Sequence, residues 1–515
     1  MNESEAPRSM TRTVVRGVGL AGGGYVVGQA INLAVYVVLA RLVTPEEFGQ
    51  FAAGAVLVQA GLYLTDSGLS AAVIQRRDRI EEAASTAVVA TVLAGIGLGL
   101  AALAASPLIG RVFQSHQVTL VAAAASGWIV VRSFAIIPDA LMQRRFSFVR
   151  RAVIDPLGIV VFGAVAIIAT AQGMGVWGLV LGNYAQFAIM SVSSWALARW
   201  RPRLGLASVA MWRELVRFGR HVMASGVLAT VSTVLSTTII GRFFGTATLG
   251  QFRYGARIVQ TPLGALINAG SYVLFPAFSR ISSDAQRLQR GFLRAVRVTF
   301  SIATPISLLL LPLGVPLAVL LFGEQWHEAG TLAAAMFAYT GARAYISLTR
   351  EIFKASGRTE ILTKLQTVSG VLTLGLMVAA VPLGSTAVGA AVSLSSIGTA
   401  AYATHAVAQT TEIPVQRIVG EMWPPLATSA LMAGGLFGVE LLVDADAHGT
   451  AAGLALLAAE GLLGMGIYLG ALAVVAPAHM RELVALAEHL PGRLRRRARP
   501  TAALEPESNA AAPLP

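Results

Sequence analysis

Apolar runs long enough to cross a bilayer recur at about 17–40, 48–72, 84–105, 118–141, 152–171 and 175–197. A second set follows at about 218–241, 248–275, 298–322, 329–349, 363–382 and 384–408, and two further runs at about 425–443 and 450–476. At about 20–25 residues per crossing, fourteen helices consume roughly 300 residues and leave only short loops, with no room for a large soluble domain. The pattern predicts an all-α polytopic membrane protein of about fourteen transmembrane helices. The first 16 residues carry Arg8, Arg12 and Arg16, with no small-residue cleavage site after a short apolar core. The first span is therefore expected to be retained.

Composition agrees: 55% of the 515 residues are hydrophobic and only 13% are charged, well outside the soluble range. The absence of cysteine excludes disulfides, thiolate metal sites and cysteine nucleophiles. The formal charge of +13 says less than its placement. With the N-terminus inside, 32 of the 39 basic residues fall on inner segments, in clusters such as Arg76/Arg77/Arg79, Arg144/Arg145/Arg150/Arg151 and Arg199/Arg201/Arg203. Outer loops hold Arg41, Arg111 and Arg242, and four arginines, Arg132, Arg253, Arg257 and Arg343, fall inside spans. Such a bias places both termini in the cytoplasm and the chain in the cytoplasmic membrane. Beyond about 478 the chain is basic, then rich in Ala, Pro and Glu, and disorder is expected after Pro500. Leu483, Val484, Leu486 and Leu490, followed by the arginines at 493–499, predict an interfacial anchoring helix in contact with membrane lipids rather than a nucleic-acid site.

The chain also repeats itself. A shift of 201 residues lays ARLVTPEEFGQFAAGAVLVQ (40–59) over GRFFGTATLGQFRYGARIVQ (241–260), so that Arg41, Gly49, Gln50 and Gln59 meet Arg242, Gly250, Gln251 and Gln260. A shift of 211 lays TLVAAAASGWIVVRSF (119–134) over GTLAAAMFAYTGARAY (330–345), pairing Arg132 with Arg343. The unit is six helices, an even number, so both copies have one orientation and are related by a pseudo-two-fold axis along the membrane normal. The expected organisation is a cytoplasmic segment (1–16), an N-lobe (17–200), a C-lobe (201–410), two extra helices (411–477) and a cytoplasmic tail (478–515). A substrate site is expected between the lobes, near the midplane.

Several segments resemble one family: LARLVTPEEFGQFAAG, DSGLSAAVIQRR, ALMQRRFSF, GVWGLVLG, FGRHVMASG, FFGTATLGQFRYGARIVQTP, LFPAFSRI and LFGEQWHEAG. They are similar to the polysaccharide flippases of the multidrug/oligosaccharidyl-lipid/polysaccharide exporter superfamily, from about residue 12 to 410. The resemblance implies two six-helix lobes, alternating access, and movement of an undecaprenyl-pyrophosphate-linked oligosaccharide from the cytoplasmic to the outer leaflet, with polysaccharide assembly proteins as a further partner class. One departure bears on substrate geometry. Some related lipid flippases carry arginine in the first helix, whereas residues 17–40 here hold no charge.

An arginine at bilayer depth costs about 2.5–3.5 kcal/mol on insertion scales unless it faces protein or water. Arg132 and Arg343 hold matching places in the repeat, and Arg253 and Arg257, spaced i,i+4, share a helix face. All four are expected to line one cationic cleft, where guanidinium forks suit a pyrophosphate. The competing reading for Arg132 and Arg343 is an ion pair with a carboxylate such as Asp139 or simple snorkelling, and for Arg253 and Arg257 a later helix start that leaves both at the surface. Asp139 and Asp155 are themselves expected to salt-bridge near the inner surface, beside Arg144, Arg145, Arg150 and Arg151. Gln59, Gln260 and Tyr254, with Asn268 and Tyr272, are candidate sugar contacts. Asp66 is the candidate ion-coupling carboxylate, the alternative being a partner for a helix end. Glu460 has no evident role. Gly95 and Gly99 form a close-packing GxxxG pair.

The rival transporter reading is a multidrug and toxin extrusion antiporter, whose cation site should be acidic or neutral. An enzyme would need a large outer loop bearing paired acids, and an ATP-driven pump a Gly-Lys phosphate loop; the lysines, Lys354 and Lys364, follow Phe353 and Thr363. A nonenzymatic transporter is expected, with no cofactor and no metal.

Overall fold

The computed structural model describes residues 28–66, 68–145, 153–282, 284–358, 360–443 and 450–497. The N-terminal arginines and the segment after Arg497 lie outside them, as do the side chains of Asn268 and Tyr272. Among the described residues the secondary structure is helical, without strands. The first repeat comprises α1 (Gly28–Leu42), α2 (Pro45–Gly54), α3 (Val56–Asp66), α4 (Leu69–Gln75), α5 (Ile80–Phe113), α6 (His116–Arg144), α7 (Asp155–Ala169) and α8 (Val176–Ala198). The second comprises α9 (Val209–Ile281), α10 (Ala285–Leu308), α11 (Leu310–Phe322), α12 (His327–Ala335), α13 (Tyr339–Ala355), α14 (Glu360–Ala380) and α15 (Ser385–Thr411). Three helices follow, α16 (Val415–Val443), α17 (Thr450–Val475) and α18 (Pro477–Arg497).

By length and apolarity, nine helices among the described residues can cross a membrane, or ten if α10 and α11, bent by 57°, count as one span. The count falls below fourteen because α8 is not among these helices and for three further reasons. α1 is short where described, and α13 carries Arg343, Arg350, Glu351 and Lys354. The 73-residue α9 is two helices meeting at Gly245, whose φ of 87° and ψ of 172° no continuous helix contains. Arg253 Nη2 donates to Thr237 Oγ1 at 2.6 Å. Sixteen residues of straight helix would separate these groups by about 24 Å, so the chain reverses at Gly245, midway between them.

Thr44, Pro45 and Glu47 start α2 as a capping box: the Thr44 hydroxyl accepts the Glu47 N–H, and the Glu47 carboxylate accepts the Thr44 N–H. One turn on, Gly49 meets its repeat mate. A Cβ on Gly49 would land on the Thr246 carbonyl oxygen and lie 3.0 Å from the Gly250 nitrogen. One on Gly250 would land on the Pro45 carbonyl oxygen and lie 3.1 Å from the Gly49 nitrogen. Pro45 and Thr246 are also 201 residues apart, so this backbone contact is itself two-fold. Only hydrogen side chains allow it, and the spacing that reveals the repeat in sequence is the spacing that docks the copies.

A shared core surrounds the contact, drawing Val35 and Leu39 from α1, Phe48 from α2, Tyr254 from α9, Phe322 from α11 and Trp326. Tyr254 is fully buried, its ring centroid 3.8 Å from that of Trp326 and 4.6 Å from that of Phe48. Trp326 Nε1 and Gln325 Nε2 both donate to the Ala40 carbonyl at 2.7 Å, filling a valence at the end of α1. Gln251 joins in, donating to the Gln325 carbonyl at 2.6 Å and accepting the Ala329 N–H. The two copies are thereby sealed together at the Gly245 end of the bundle.

The opposite end collects basic residues. Arg76 pairs with Glu214 at 2.9 Å and Arg203 with Glu81 at 3.0 Å, while Arg144 donates to the Ile74 carbonyl at the end of α4 and Arg145 to the Ala198 carbonyl at the end of α8. Gly95 and Gly99 seat α5 against Ser133 and Val130 of α6, the close packing expected of them. The helices after the repeat lie on the second copy: Arg297 of α10 makes two 2.8 Å bonds to Glu421 of α16, and Tyr468 of α17 donates to the Ser301 carbonyl.

Candidate functional site

Directly beneath the seal, towards the basic end, a cavity of about 450 Å³ separates the two copies. Its walls come from α1 (Gln29, Asn32, Tyr36), α2 and α3 (through Gln59), and the second arm of α9 (Arg253, Arg257, Gln260). Lining residues 52, 55 and 59 on one side and 253, 256, 257 and 260 on the other follow helical spacing away from Gly49 and Gly250. The repeat mates Gln59 and Gln260 thus share one cavity, as their register suggests. Among the described residues no carboxylate lines it.

The two arginines are held differently. Arg253 is tied to Thr237, on the facing arm of its own hairpin. The Arg257 guanidinium lies over the Tyr36 ring, 3.0 Å from its centroid, and its buried Nη1 has no hydrogen-bond partner among the described residues. A stacked cation with an unused donor fixes the plane of the fork and leaves an N–H for an anion. Tyr36 is itself placed by the seal, since Tyr254 Oη donates to its carbonyl oxygen at 3.4 Å.

The structure does not gather the four embedded arginines into one cleft. Arg132 forms an ion pair with Asp139 at 3.1 Å on its own helix α6, two turns along, and Ser194 of α8 donates to the same carboxylate. This is the structural alternative raised for Arg132, and Arg150 and Arg151, also expected beside Asp139, lie outside the described residues. Arg343 lines a separate cavity, also of about 450 Å³, between the second arm of α9 and α13. Tyr254, expected as a sugar contact, belongs to the seal and has no exposed surface. Asp66 ends α3, where its carboxylate accepts the Ser70 N–H at 3.0 Å and the Ser70 hydroxyl at 2.7 Å, a helix-end role for α4. Glu460 is buried on α17, with neither carboxylate oxygen hydrogen-bonded among the described residues.

Sequence reading passed over Tyr36, the shelf for Arg257. Its signal was an aromatic in the apolar first span, indistinguishable there from a lipid-facing residue. It also placed Arg350 and Lys354 among inner-surface charges, although both line the cavity that holds Arg343.

Among curated proteins, the chain is 25% identical to the succinoglycan biosynthesis transport protein ExoT of Rhizobium meliloti (strain 1021), over 63% of this chain and 65% of that protein. It is 26% identical to the lipopolysaccharide biosynthesis protein WzxC of Escherichia coli (strain K12), over 58% and 61%. Each match thus spans less than two thirds of the relative's own length. Among solved structures, the lipid II flippase MurJ in an inward closed conformation aligns with a TM-score of 0.73 at 14% identity, covering 90% of this chain and 99% of that one. An inward-facing multidrug resistance MATE family transporter of the MOP superfamily aligns with a TM-score of 0.59 at 17% identity, covering 75% and 94%. At these identities the structural likeness establishes the fold. A family model described as polysaccharide biosynthesis protein matches residues 38–331, more than half of the chain; the chain is a member of that polysaccharide biosynthesis protein family.

Proposed function

We propose that the protein is a flippase that carries an undecaprenyl-pyrophosphate-linked oligosaccharide from the cytoplasmic to the outer leaflet by alternating access, without cofactor or metal. One observation carries the reading: among the described residues, the cavity between the repeat copies presents Arg253 and a partly unpartnered Arg257 with no opposing carboxylate. An organic cation would meet repulsion there, whereas a pyrophosphate finds charge-assisted donors. The two-fold-related Gln59 and Gln260 supply amides for the first sugars. Family membership and the functions named for the relatives support the same substrate class.

With both termini on the cytoplasmic side, the sealed Gly245 end faces outward and the cavity opens inward. The two six-helix repeats are then the rocking lobes, with α16 and α17 carried by the second. Depleting the protein in its host should make lipid-linked oligosaccharide accumulate in the cytoplasmic leaflet. No accumulation, together with changed sensitivity to cationic drugs, would move the protein to the multidrug antiporters. Orientation has its own check in a chain without cysteine. Cysteines replacing Glu46, Gln114 or Glu324 should react with an impermeant reagent from outside, and those replacing Asp78, Ser208 or Ser356 should not.

A further inference from the structure

The second cavity contains the repeat's own comparison. At the 211-residue shift Arg132 lies over Arg343, and seven residues on Asp139 lies over Arg350. In the first copy the i,i+7 pair is a closed ion pair, Arg132 with Asp139 at 3.1 Å. In the second copy the carboxylate position holds another arginine. Two cations seven residues apart stand on one helix face, about 10 Å apart along the axis. Lys354, one turn further, joins them in the same lining. Its ammonium pairs with Glu351 at 3.0 Å, so among the described lining residues three cations face a single carboxylate.

Among the described residues neither arginine is paired with an acid. Arg343 Nε is buried and makes no hydrogen bond among the described residues, and its guanidinium lies 5.3 Å from the Tyr339 ring. Neither Arg343 nor Arg350 forms an ion pair among the described residues, and space of about 450 Å³ lies in front of them. The helix that bears them is positioned independently of any ligand. Between α12 and α13 the helix breaks at residues 336–338. Two serines take over the opened backbone: Ser393 accepts the Ala338 N–H and donates to the Ala335 carbonyl, and Ser307 accepts the Gly341 N–H and donates to the Phe337 carbonyl.

We propose that Arg343, Arg350 and Lys354 form a second anion site that takes a pyrophosphate group in the place the Asp139 carboxylate occupies in the first copy. The site deepens the flippase reading and rests on it for the identity of the anion. Leu263 and Ile267 of α9 line this cavity, while Gln260 and Thr261 line the central one. The two sites therefore lie about 5–10 Å apart along one helix, with the second nearer the basic end. A diphosphate entering from that end meets Lys354 and Arg350 first, then Arg343, and passes to Arg257 in the central cavity. Two stations of one charge sign let the anion advance without being held tightly at either.

The test uses the full-length protein in detergent with single cysteines, in a chain that has none of its own. Ser347→Cys reports the second cavity and Thr261→Cys the central one. Inorganic pyrophosphate should slow maleimide modification at both positions. Arg350→Asp rebuilds the charge pattern of the first copy, so it should fold, as thermal melting would verify. It should raise the pyrophosphate concentration needed for protection at Ser347→Cys by roughly tenfold or more, and change that at Thr261→Cys by less than about twofold. Arg257→Gln should do the reverse, and Arg350→Lys should retain protection at Ser347→Cys. No protection of Ser347→Cys would overturn the second site, as would its loss in Arg257→Gln, which would mean a single continuous site. Protection by phosphatidylglycerol vesicles but not by pyrophosphate would make this a lipid-headgroup site and sink the proposal. Protection at Ser347→Cys with none at Thr261→Cys would leave the second site standing and remove the central one.

Discussion

Arg132 and Arg257 are both arginines in apolar helices, yet the protein treats them oppositely. Arg132 has a carboxylate two turns along its own helix, itself bonded to Ser194 of α8. Arg257 has an aromatic shelf and, among the described residues, a spare N–H and a cavity wall without acids. The first arrangement neutralises a charge so that the helix can sit in the membrane. The second keeps the charge available and faces it to a cavity instead of a built-in acid. An arginine at depth is therefore no functional signal by itself; what separates the cases is whether its counter-charge is built in.

That contrast breaks most visibly in stability. Arg132→Ala takes a cation away from a buried carboxylate, which should destabilise the protein by up to about 3–5 kcal/mol. Adding Asp139→Asn should recover most of the loss. Thermal unfolding of the two variants in detergent checks this, and equal melting temperatures for the single and double variants would mean that the pair contributes nothing. In binding, Arg257→Ala should weaken affinity for a lipid-linked pyrophosphate by about 1.5–3 kcal/mol, roughly 10- to 150-fold, without comparable loss of stability. Arg257→Lys should keep part of the affinity, and the defect should be the same for two glycans on one carrier.

Tyr36→Leu removes the shelf but not the charge. Its cost should be about 0.5–2 kcal/mol in binding, and it should be non-additive with Arg257→Ala in a double-mutant cycle, because both remove one arrangement. Smallest of all, Gln59→Ala and Gln260→Ala should each weaken binding by about 0.5–1.5 kcal/mol, by similar factors but with sensitivity to the attached sugar. Glycan-dependent defects at Arg257, or glycan-blind ones at the glutamines, would reverse the division of labour between them.

Much of this was legible before folding was considered. Gly49 and Gly250 stand out as repeat mates in the sequence, and they dock the two copies. Gln59 and Gln260 stand out the same way and share a cavity. Arg253 and Arg257 lie one turn apart, so any helix puts them on the same side. The repeat was less informative for Arg132 and Arg343, because a matching position in two copies does not require a matching neighbour, and Asp139 is replaced by Arg350.

The sequence by itself determined the helical membrane architecture, the two-fold repeat and the sorting of charge to one end, because each follows from spacing along a single chain. Bilayer length sets the spans, helical period sets which residues share a face, and identity at a fixed shift sets the symmetry. Only the tertiary structure decided which face meets which. Rotation of one helix about its axis is free in a sequence, yet it puts Tyr254 in the seal rather than in the cavity and Tyr36 under Arg257. It also settles whether an embedded arginine finds its counter-ion inside the protein. That depends on distances of a few ångströms between residues far apart in the chain, and packing alone sets them.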